Sequence, residues 1–342
     1  MFKGCTSLTT APTLPATELR QYCYRFMFEG CTNLNNVTCL ATSITATSCT
    51  DDWLNGVAAT GTFTKAASMT GWTLNSPNGI PEGWTVIPVI PGRFTINASG
   101  DQVYFSQGNL QATKNNNVWS WSFAEHQYDC LGNAASNMSL NGTVDMFGWN
   151  GETSGADNYG ISSSGEDSDY GNTAGENLKH DWGHNAITNG GNTADTWRTL
   201  TKDEWEYIFN TRSTPSGVRF AAATVNEING MILLPDDWST SYYSLSSTNT
   251  VDEDIHNSVS LSDWNTKLEA HGAVFLPATT VLRGGPFWVN IPNNAEVYWT
   301  STSHETTATS AYVMFIMYGL GDITRPFDRH YGCHVRLVRD AN

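Results

Sequence analysis

The opening segment of the chain repeats itself at a fixed spacing, and this repetition limits how the segment can fold. Residues 1–8, MFKGCTSL, return as residues 27–34, MFEGCTNL, an offset of 26 residues. The offset continues into a third, degenerate copy, in which Gly56 follows Gly30. A single unit of this length cannot bury its own apolar face. Neighbouring copies must therefore stack to complete a core.

Cysteine use follows the repeat rather than a disulfide pattern. Five of the seven cysteines lie in the first 49 residues: Cys5, Cys23, Cys31, Cys39 and Cys49. An odd and uneven count argues against a full disulfide framework. Because these cysteines occupy repeat positions that otherwise hold Leu or Val, we expect them to be small buried hydrophobic residues rather than metal ligands or redox groups.

Charge and composition exclude several classes of protein. The 33 Asp and Glu residues outnumber the 17 Lys and Arg residues, and the net charge of −16 repels phosphate backbones and anionic lipids. No nucleic-acid partner is therefore expected. Aromatic residues make up 12% of the chain, which is too much apolar surface for a disordered protein. No stretch approaches the roughly 20 apolar residues of a membrane-spanning helix, so no membrane span is expected.

Two domains are expected in a chain of 342 residues. Residues 1–86 comprise the repeats and, over 61–86, a cap. The segment 87–92, IPVIPG, contains two prolines that favour an extended connector. Beyond it, short aromatic strands such as Gln102–Phe105 alternate with Gly, Asn and Ser, which predicts a second domain over 93–342. Because Met1 falls inside a repeat copy, the chain is expected to be the end of a longer array without its export signal.

A capping box predicts one helix in the second domain. The Thr201 hydroxyl and the Glu204 carboxylate can each accept an N–H group of the first turn. Trp205, Ile208 and Phe209 then fall on one helix face, which is expected to be buried.

A second helix is predicted to start at Ser262 as its N-cap. It carries Trp264 and Leu268 on one side and ends near Gly272. By contrast, the Gly-, Asn-, Ser- and Asp-rich stretch over 133–196 shows no periodicity and is expected to be loop.

The 26-residue period, with Leu and Cys at fixed positions, resembles the leucine-rich repeats of large bacterial surface proteins of the BspA-like group. The resemblance covers roughly residues 1–60 and rests on the MFxxCxxL pattern. It implies a leucine-rich repeat segment and a location at the bacterial cell surface or outside the cell.

Segments of the second domain resemble the formylglycine-generating-enzyme branch of the C-type lectin fold. Trp197–Tyr207 matches the Arg-Leu-Thr-Glu-Trp-Glu signature of that branch. Further matches are Val144–Trp149, Leu233–Trp238, Gly272–Ala278, Tyr298–Ser301 and Val335–Arg339. Their order is similar to the variable proteins of diversity-generating retroelements and to paralogous surface domains of Bacteroidetes and Fibrobacter. The resemblance implies an α+β chain with a C-type-lectin-like fold.

The same resemblance implies a set of variable positions. Retroelements of this type produce NNY codons, which cannot encode Met, so Met314 belongs to the scaffold. Strand alternation then assigns Met314 and Ile316 to the core and Val313 and Phe315 to a presented face. The other candidates are Tyr318, Leu320, Phe327, Asp328, His330, Tyr331, Cys333 and His334, with His304 as a weaker one. Alternatively, Val313 and Phe315 are core residues of a strand buried on both faces.

These observations predict a receptor-like or adhesin-like protein that displays a diversified C-terminal surface on a rigid scaffold and binds an unknown protein or glycan. There are two alternatives. One is an undiversified structural or carbohydrate-binding surface protein, and the other is a formylglycine-generating-type enzyme. Enzymes of that branch use a closely spaced cysteine pair near the C-terminus. This chain has only Cys333 there, with Cys130 far earlier, so no catalytic residue is assigned and no enzymatic activity is expected.

No metal or cofactor site is predicted. His180 and His184 have zinc-ligand spacing, but Asp181 stands where a zinc helix has Glu, and Gly183 disfavours a helix. Glu166–Asn172 alternates carboxylates without the calcium-loop pattern, so calcium is an alternative only. The calcium motifs of sugar-binding lectins are absent, and Asn290–Asn293 resembles them only distantly.

Overall fold

The structure is a computed structural model, and it divides into two compact units, Met1–Pro91 and Gly92–Asn342. The residues it describes are 1–115, 118–131, 142–149, 181–251, 257–278, 295–317 and 323–341. Strands make up 35% of the chain and helices 9%, so the fold is mostly β, with mixed sheets and few helices. Within the described ranges, no helix has the length and hydropathy needed to cross a bilayer.

The first unit stacks its repeats in the register that the sequence sets. Its strands are β1 (Asn36–Cys39), β2 (Gly61–Ala66) and β3 (Trp84–Val89), which form a parallel sheet in the order β1-β2-β3. Asn36 lies opposite Thr62, an offset of 26 residues. The turn glycines Gly4, Gly30 and Gly56 share a left-handed φ of 73–74°, which favours glycine.

The core of the first unit confirms part of the expectation for cysteine. Cys31, Cys39 and Cys49 are buried, whereas Cys5 and Cys23 are exposed. Cys5 and Cys23 belong to the first copy, whose outer side is covered by no other copy among the described residues, so the expectation of burial is wrong for them. No disulfide links any cysteine in the part of the chain that the structure describes.

The segment 87–92 is not only a connector. Its first residues complete β3, which pairs with β2 and places Pro88 opposite Lys65. Since β3 is the edge strand, the N–H group that Pro88 lacks is not needed for pairing. The boundary between the two units follows Pro91.

The described residues of the second unit form four sheets. Its strands are β4 (Phe94–Thr95), β5 (Gln102–Phe105), β6 (Leu110–Asn115), β7 (Val118–Phe123), β8 (Gly142–Val144), β9 (Arg198–Thr199), β10 (Phe220–Val225), β11 (Ile228–Leu233), β12 (Asn257–Val259), β13 (Val274–Pro277), β14 (Glu296–Ser303), β15 (Ser310–Ile316), β16 (Thr324–Asp328) and β17 (Leu337–Asp340). The sheet orders are β7-β6-β8, β4-β5-β17-β9, β12-β10-β11-β13 and β14-β15-β16. The C-terminal strand β17 thus lies inside a sheet with β5 and β9.

The capping box starts a helix as predicted. Helix α1 (Lys202–Glu206) continues into a π-helical turn, Tyr207–Thr211. The Thr201 hydroxyl accepts the Glu204 N–H at 3.2 Å, and the Glu204 carboxylate accepts the Thr201 N–H at 2.7 Å. Trp205, Ile208 and Phe209 are all buried, as the face assignment predicted.

The second helix starts earlier than predicted. Ser260, not Ser262, is its N-cap, because the Ser260 hydroxyl accepts the N–H of Asp263 at 3.1 Å. Helix α2 (Leu261–Asp263) continues through the turns Trp264–Leu268 and Glu269–His271 and ends at Gly272, whose φ is 87°. A short 3₁₀ turn, Trp182–His184, lies in the segment expected to be loop.

Candidate functional site

Strand β15 is the middle strand of its sheet, and one face of it is covered by a segment that is distant in sequence. Val313 pairs with Trp299 on β14, so their side chains share a face. The Trp299 indole N–H donates to the Phe147 carbonyl at 2.6 Å, which brings the 146–149 segment onto that face. Val313 and Phe315 are buried, with 0% and 3% of their surface exposed. The prediction that they are presented outward is therefore wrong.

The opposite face of β15 packs on helix α1. Met314 and Ile316 are buried there, as predicted. The Lys202 ammonium lies 4.7 Å from the Tyr312 ring centroid, and the Thr324 hydroxyl donates to the Glu206 carboxylate. The strand is thus buried on both faces, which is the alternative that its apolar run left open.

Cys333 and His334 are held between two segments and cannot present their side chains. Cys333 and Phe147 exchange backbone hydrogen bonds at 2.9 and 3.1 Å. The His334 N–H donates to the Val297 carbonyl at 3.2 Å, and its carbonyl accepts the Trp299 N–H at 2.9 Å. Both residues have 0% exposure, and burial raises the pKa of the Cys333 thiol well above its usual range. The assignment of both residues to the presented surface is wrong.

His330 is also buried, but its ring belongs to an aromatic cluster that reaches the surface. The ring centroids are 5.4 Å apart for Phe315 and Phe327, 5.6 Å for Phe327 and Tyr331, and 4.7 Å for His330 and Tyr331. The neighbouring Arg329 is buried as well and donates to the Trp149 carbonyl at 3.0 Å. This anchor holds the turn inward, so the expected exposure of His330 is wrong.

Three of the predicted positions keep part of their surface in solvent: Phe327, Asp328 and Tyr331. Arg325 joins them, because its guanidinium carbon lies 4.9 Å from the Phe315 ring centroid and its side chain is partly exposed. We call Arg325, Phe327 and Tyr331 the C-terminal patch. Asp328 alternates to the other face of β16.

A further predicted position, His304, lies outside the patch. His304 is half-buried and stacks on Tyr312 at 5.4 Å. Tyr318 and Leu320 lie outside the described residues.

A buried polar network lies below this sheet and was not predicted. The Arg336 guanidinium donates to the Gln127 amide oxygen at 2.7 Å and to the Asn109 amide oxygen at 3.4 Å. Gln127 in turn donates to the Glu269 carboxylate at 2.9 Å. Burial lowers the pKa of Arg336 to about 10 and raises that of Glu269. Arg336 therefore keeps its charge at neutral pH inside the core.

Next to the network, three titratable side chains converge from distant parts of the sequence. The Cys130 sulfur lies 3.7 Å from Nε2 of His334, and Oδ2 of Asp145 lies 3.7 Å from Nδ1 of His334. Asp145 and His334 are buried, and Cys130 is partly exposed. Burial lowers the pKa of His334, and the Asp145 carboxylate partly offsets this effect. The imidazole is therefore neutral at neutral pH.

The Cys130–Asp145–His334 cluster carries no signal in the sequence. Cys130 and His334 are 204 residues apart, and no fixed motif links them. His184, one of the metal-ligand candidates considered from the sequence, contacts Asp195 in an exposed turn. His180, Glu166–Asn172 and Asn290–Asn293 lie outside the described residues.

Comparison with known proteins gives no relative to set beside this geometry. No protein-family model matches the chain, and neither a curated protein nor a solved structure matches it.

Proposed function

We propose that this chain is a ligand-binding protein, and that the C-terminal patch is its contact surface. The ligand class is a protein or a glycan, as expected from the sequence. The proposal replaces the larger surface predicted from sequence, since five of the ten positions are buried.

The observation that carries the proposal is the support below the partly exposed rings. Phe327 packs on the buried Phe315, and Tyr331 packs on both Phe327 and the buried His330. Rings held in this way lose little conformational entropy when they bind, and Tyr and Arg are common among residues that dominate binding energy. The patch therefore combines two aromatic rings and a cation, and its side chains lose little conformational entropy on binding.

The fold that we propose for the second unit is C-type-lectin-like, in the formylglycine-generating-enzyme branch, preceded by BspA-type leucine-rich repeats. The support is the set of motif resemblances, together with the stacking of 26-residue units in the first unit. A location at the bacterial cell surface, or outside the cell, belongs to the same proposal.

We place the chain among binding proteins rather than among oxidising enzymes of that branch. Their chemistry uses a pair of close cysteines near the C-terminus. Here Cys333 is fully buried and its pKa is raised, so its thiol is protonated and shielded from solvent.

A binding screen tests the proposed surface. The chain is immobilised and exposed to a glycan array and to a phage-displayed random-peptide library. Binders selected in this way should lose at least about tenfold in affinity, or about 1.4 kcal/mol, when Phe327 and Tyr331 are both replaced by Ala.

The matched control is Tyr242→Ala, since Tyr242 is an exposed aromatic residue elsewhere in the same unit. This variant should bind like the unmodified chain. An absence of binders in both screens, or equal binding by the Phe327→Ala/Tyr331→Ala variant, would contradict the proposal.

Diversification by a retroelement is a separate part of the proposal, and the gene's neighbourhood tests it. The expected finding is a reverse transcriptase gene and an adenine-rich near-repeat of the last codons. If neither is present, the protein is an undiversified surface protein of the same design.

A further inference from the structure

We propose that Cys130, Asp145 and His334 form a binding site for a divalent metal ion of the zinc type. This site is distinct from the C-terminal patch and does not depend on the proposed ligand-binding function. Its three residues offer a sulfur, an oxygen and a nitrogen donor within 4.8 Å of one another.

The distances suit a small tetrahedral ion. Zinc bonds of about 2.3 Å to sulfur and about 2.0 Å to nitrogen place these two atoms about 3.5 Å apart in a tetrahedral site. The observed separation between Sγ of Cys130 and Nε2 of His334 is 3.7 Å. Calcium would require six or more oxygen ligands and does not fit a thiol and an imidazole.

A second observation concerns the other ring nitrogen of the same imidazole. His334 is fully buried, and its Nδ1 makes no hydrogen bond in the part of the chain that the structure describes. The closest carboxylate oxygen, of Asp145, is 3.7 Å away, which is beyond hydrogen-bond range. A buried polar nitrogen without a partner costs free energy. Coordination of an ion by Nε2 would fix the proton of the neutral imidazole on Nδ1, on the side where Asp145 lies.

Charge balance favours a dication. A thiolate from Cys130 and a carboxylate from Asp145 together neutralise an ion of charge +2 when His334 is neutral. The buried site then carries no net charge, which avoids the large penalty of an uncompensated ion in the core.

The surroundings hold the donors in place. The Leu131 N–H donates to Oδ2 of Asp145 at 2.7 Å, and both the N–H and the carbonyl of His334 are hydrogen-bonded to β14. Supports of this kind fix the orientation of metal ligands. Because Cys130 is partly exposed, an ion would enter on the thiol side, where a water molecule can take the fourth position.

Cobalt titration tests the site. The full chain is treated with a chelator, dialysed and titrated with Co²⁺, which reports a thiolate ligand through a charge-transfer absorption band. We expect one Co²⁺ per chain with this band, and loss of the band when Zn²⁺ is added. Cys130→Ser should abolish the band and weaken binding at least about tenfold.

The matched control is Cys23→Ser, which changes an exposed thiol of the first unit and should leave the titration unchanged. Thermal unfolding of metal-free Cys130→Ser, with a midpoint close to that of the unmodified chain, shows that the variant folds. A titration unchanged by Cys130→Ser, or a band that disappears in Cys23→Ser, would overturn the proposal.

Alkylation of the unmodified chain gives a test without any substitution. Iodoacetamide should modify Cys130 much more slowly in the presence of Zn²⁺, as followed by peptide mass spectrometry, while the rate at Cys23 should not change. Equal rates at Cys130 with and without Zn²⁺ would show a thiol that binds no metal.

Discussion

At the scale of single residues, buried ionisable groups in this protein have very different surroundings. Arg336 donates to the Gln127 amide oxygen within the polar network of the second unit. Glu296, at the start of β14, is also buried, but its Oε2 makes no hydrogen bond in the part of the chain that is described. Burial raises the pKa of Glu296 well above its usual range, so the folded chain keeps the proton on this group to a higher pH than the unfolded chain does.

Glu296→Gln should therefore stabilise the protein more at pH 7.5 than at pH 4.5. Between the ordinary pKa of glutamate and the raised pKa in the fold, the folded state binds more protons than the unfolded state. The contribution of Glu296 to stability thus falls as pH rises through that range. The melting temperatures of the unmodified chain and of the Glu296→Gln variant, each measured at the two pH values, test this prediction. An equal difference between the two proteins at both pH values would show that Glu296 is ionised in the fold.

At the scale of elements, helix α1 depends on its first turn and supports β15. The capping box satisfies N–H groups at the helix start, and Lys202 and Glu206 contact Tyr312 and Thr324. Short helices are not stable by themselves in water, so the cap and the packing on the sheet must act together. A weaker cap should loosen the support below the C-terminal strands.

Thr201→Ala should lower the free energy of unfolding by about 1 kcal/mol, the usual cost of losing an N-cap hydroxyl. Chemical denaturation measures this change. Thr306→Ala alters an exposed threonine in the turn before β15 and serves as the control, with an expected change within about 0.5 kcal/mol. Equal effects of the two substitutions would mean that the cap contributes nothing.

Among the described strands, β16 lies at the edge of its sheet, and it contains a proline. Arg329 donates its backbone N–H to the Thr309 carbonyl, and Phe315 donates its own to Ile323, which fixes the alternation of bonded pairs. Pro326, opposite Tyr312, falls at a position that makes no bond to β15. Its missing N–H therefore weakens only the outer edge, where pairing with another chain would otherwise begin.

At the scale of the whole molecule, packing from distant segments limits which C-terminal positions can vary. Val313→Asn should cost about 2–4 kcal/mol, because it places an unpaired amide in a close-packed core. Asp328→Asn, on a partly exposed side chain, should change stability by no more than about 0.5 kcal/mol. Denaturation curves of the two variants check the contrast. A small effect of Val313→Asn would mean that this face of β15 is open.

Features that depend on neighbouring residues or on a fixed period follow from the order of amino acids alone. The 26-residue register and the capping box at Thr201 are of this kind, because they follow from a fixed period and from local geometry. The burial of Met314 and Ile316 was instead implied by the family resemblance, with strand alternation extending the assignment from one residue to the other. The start of α2 at Ser260 was misplaced by two residues, since both serines precede the same apolar pattern and only hydrogen-bond geometry separates them.

Which strand faces are covered depends on long-range packing. Val313 and Phe315 are buried because the 146–149 segment, more than 150 residues earlier, lies over their strand, and alternation within a strand carries no information about such a segment. The same long-range packing brings Cys130 and Asp145 to His334. Contacts of this kind arise when separate sheets close around a shared core, so they depend on the whole fold rather than on any local pattern.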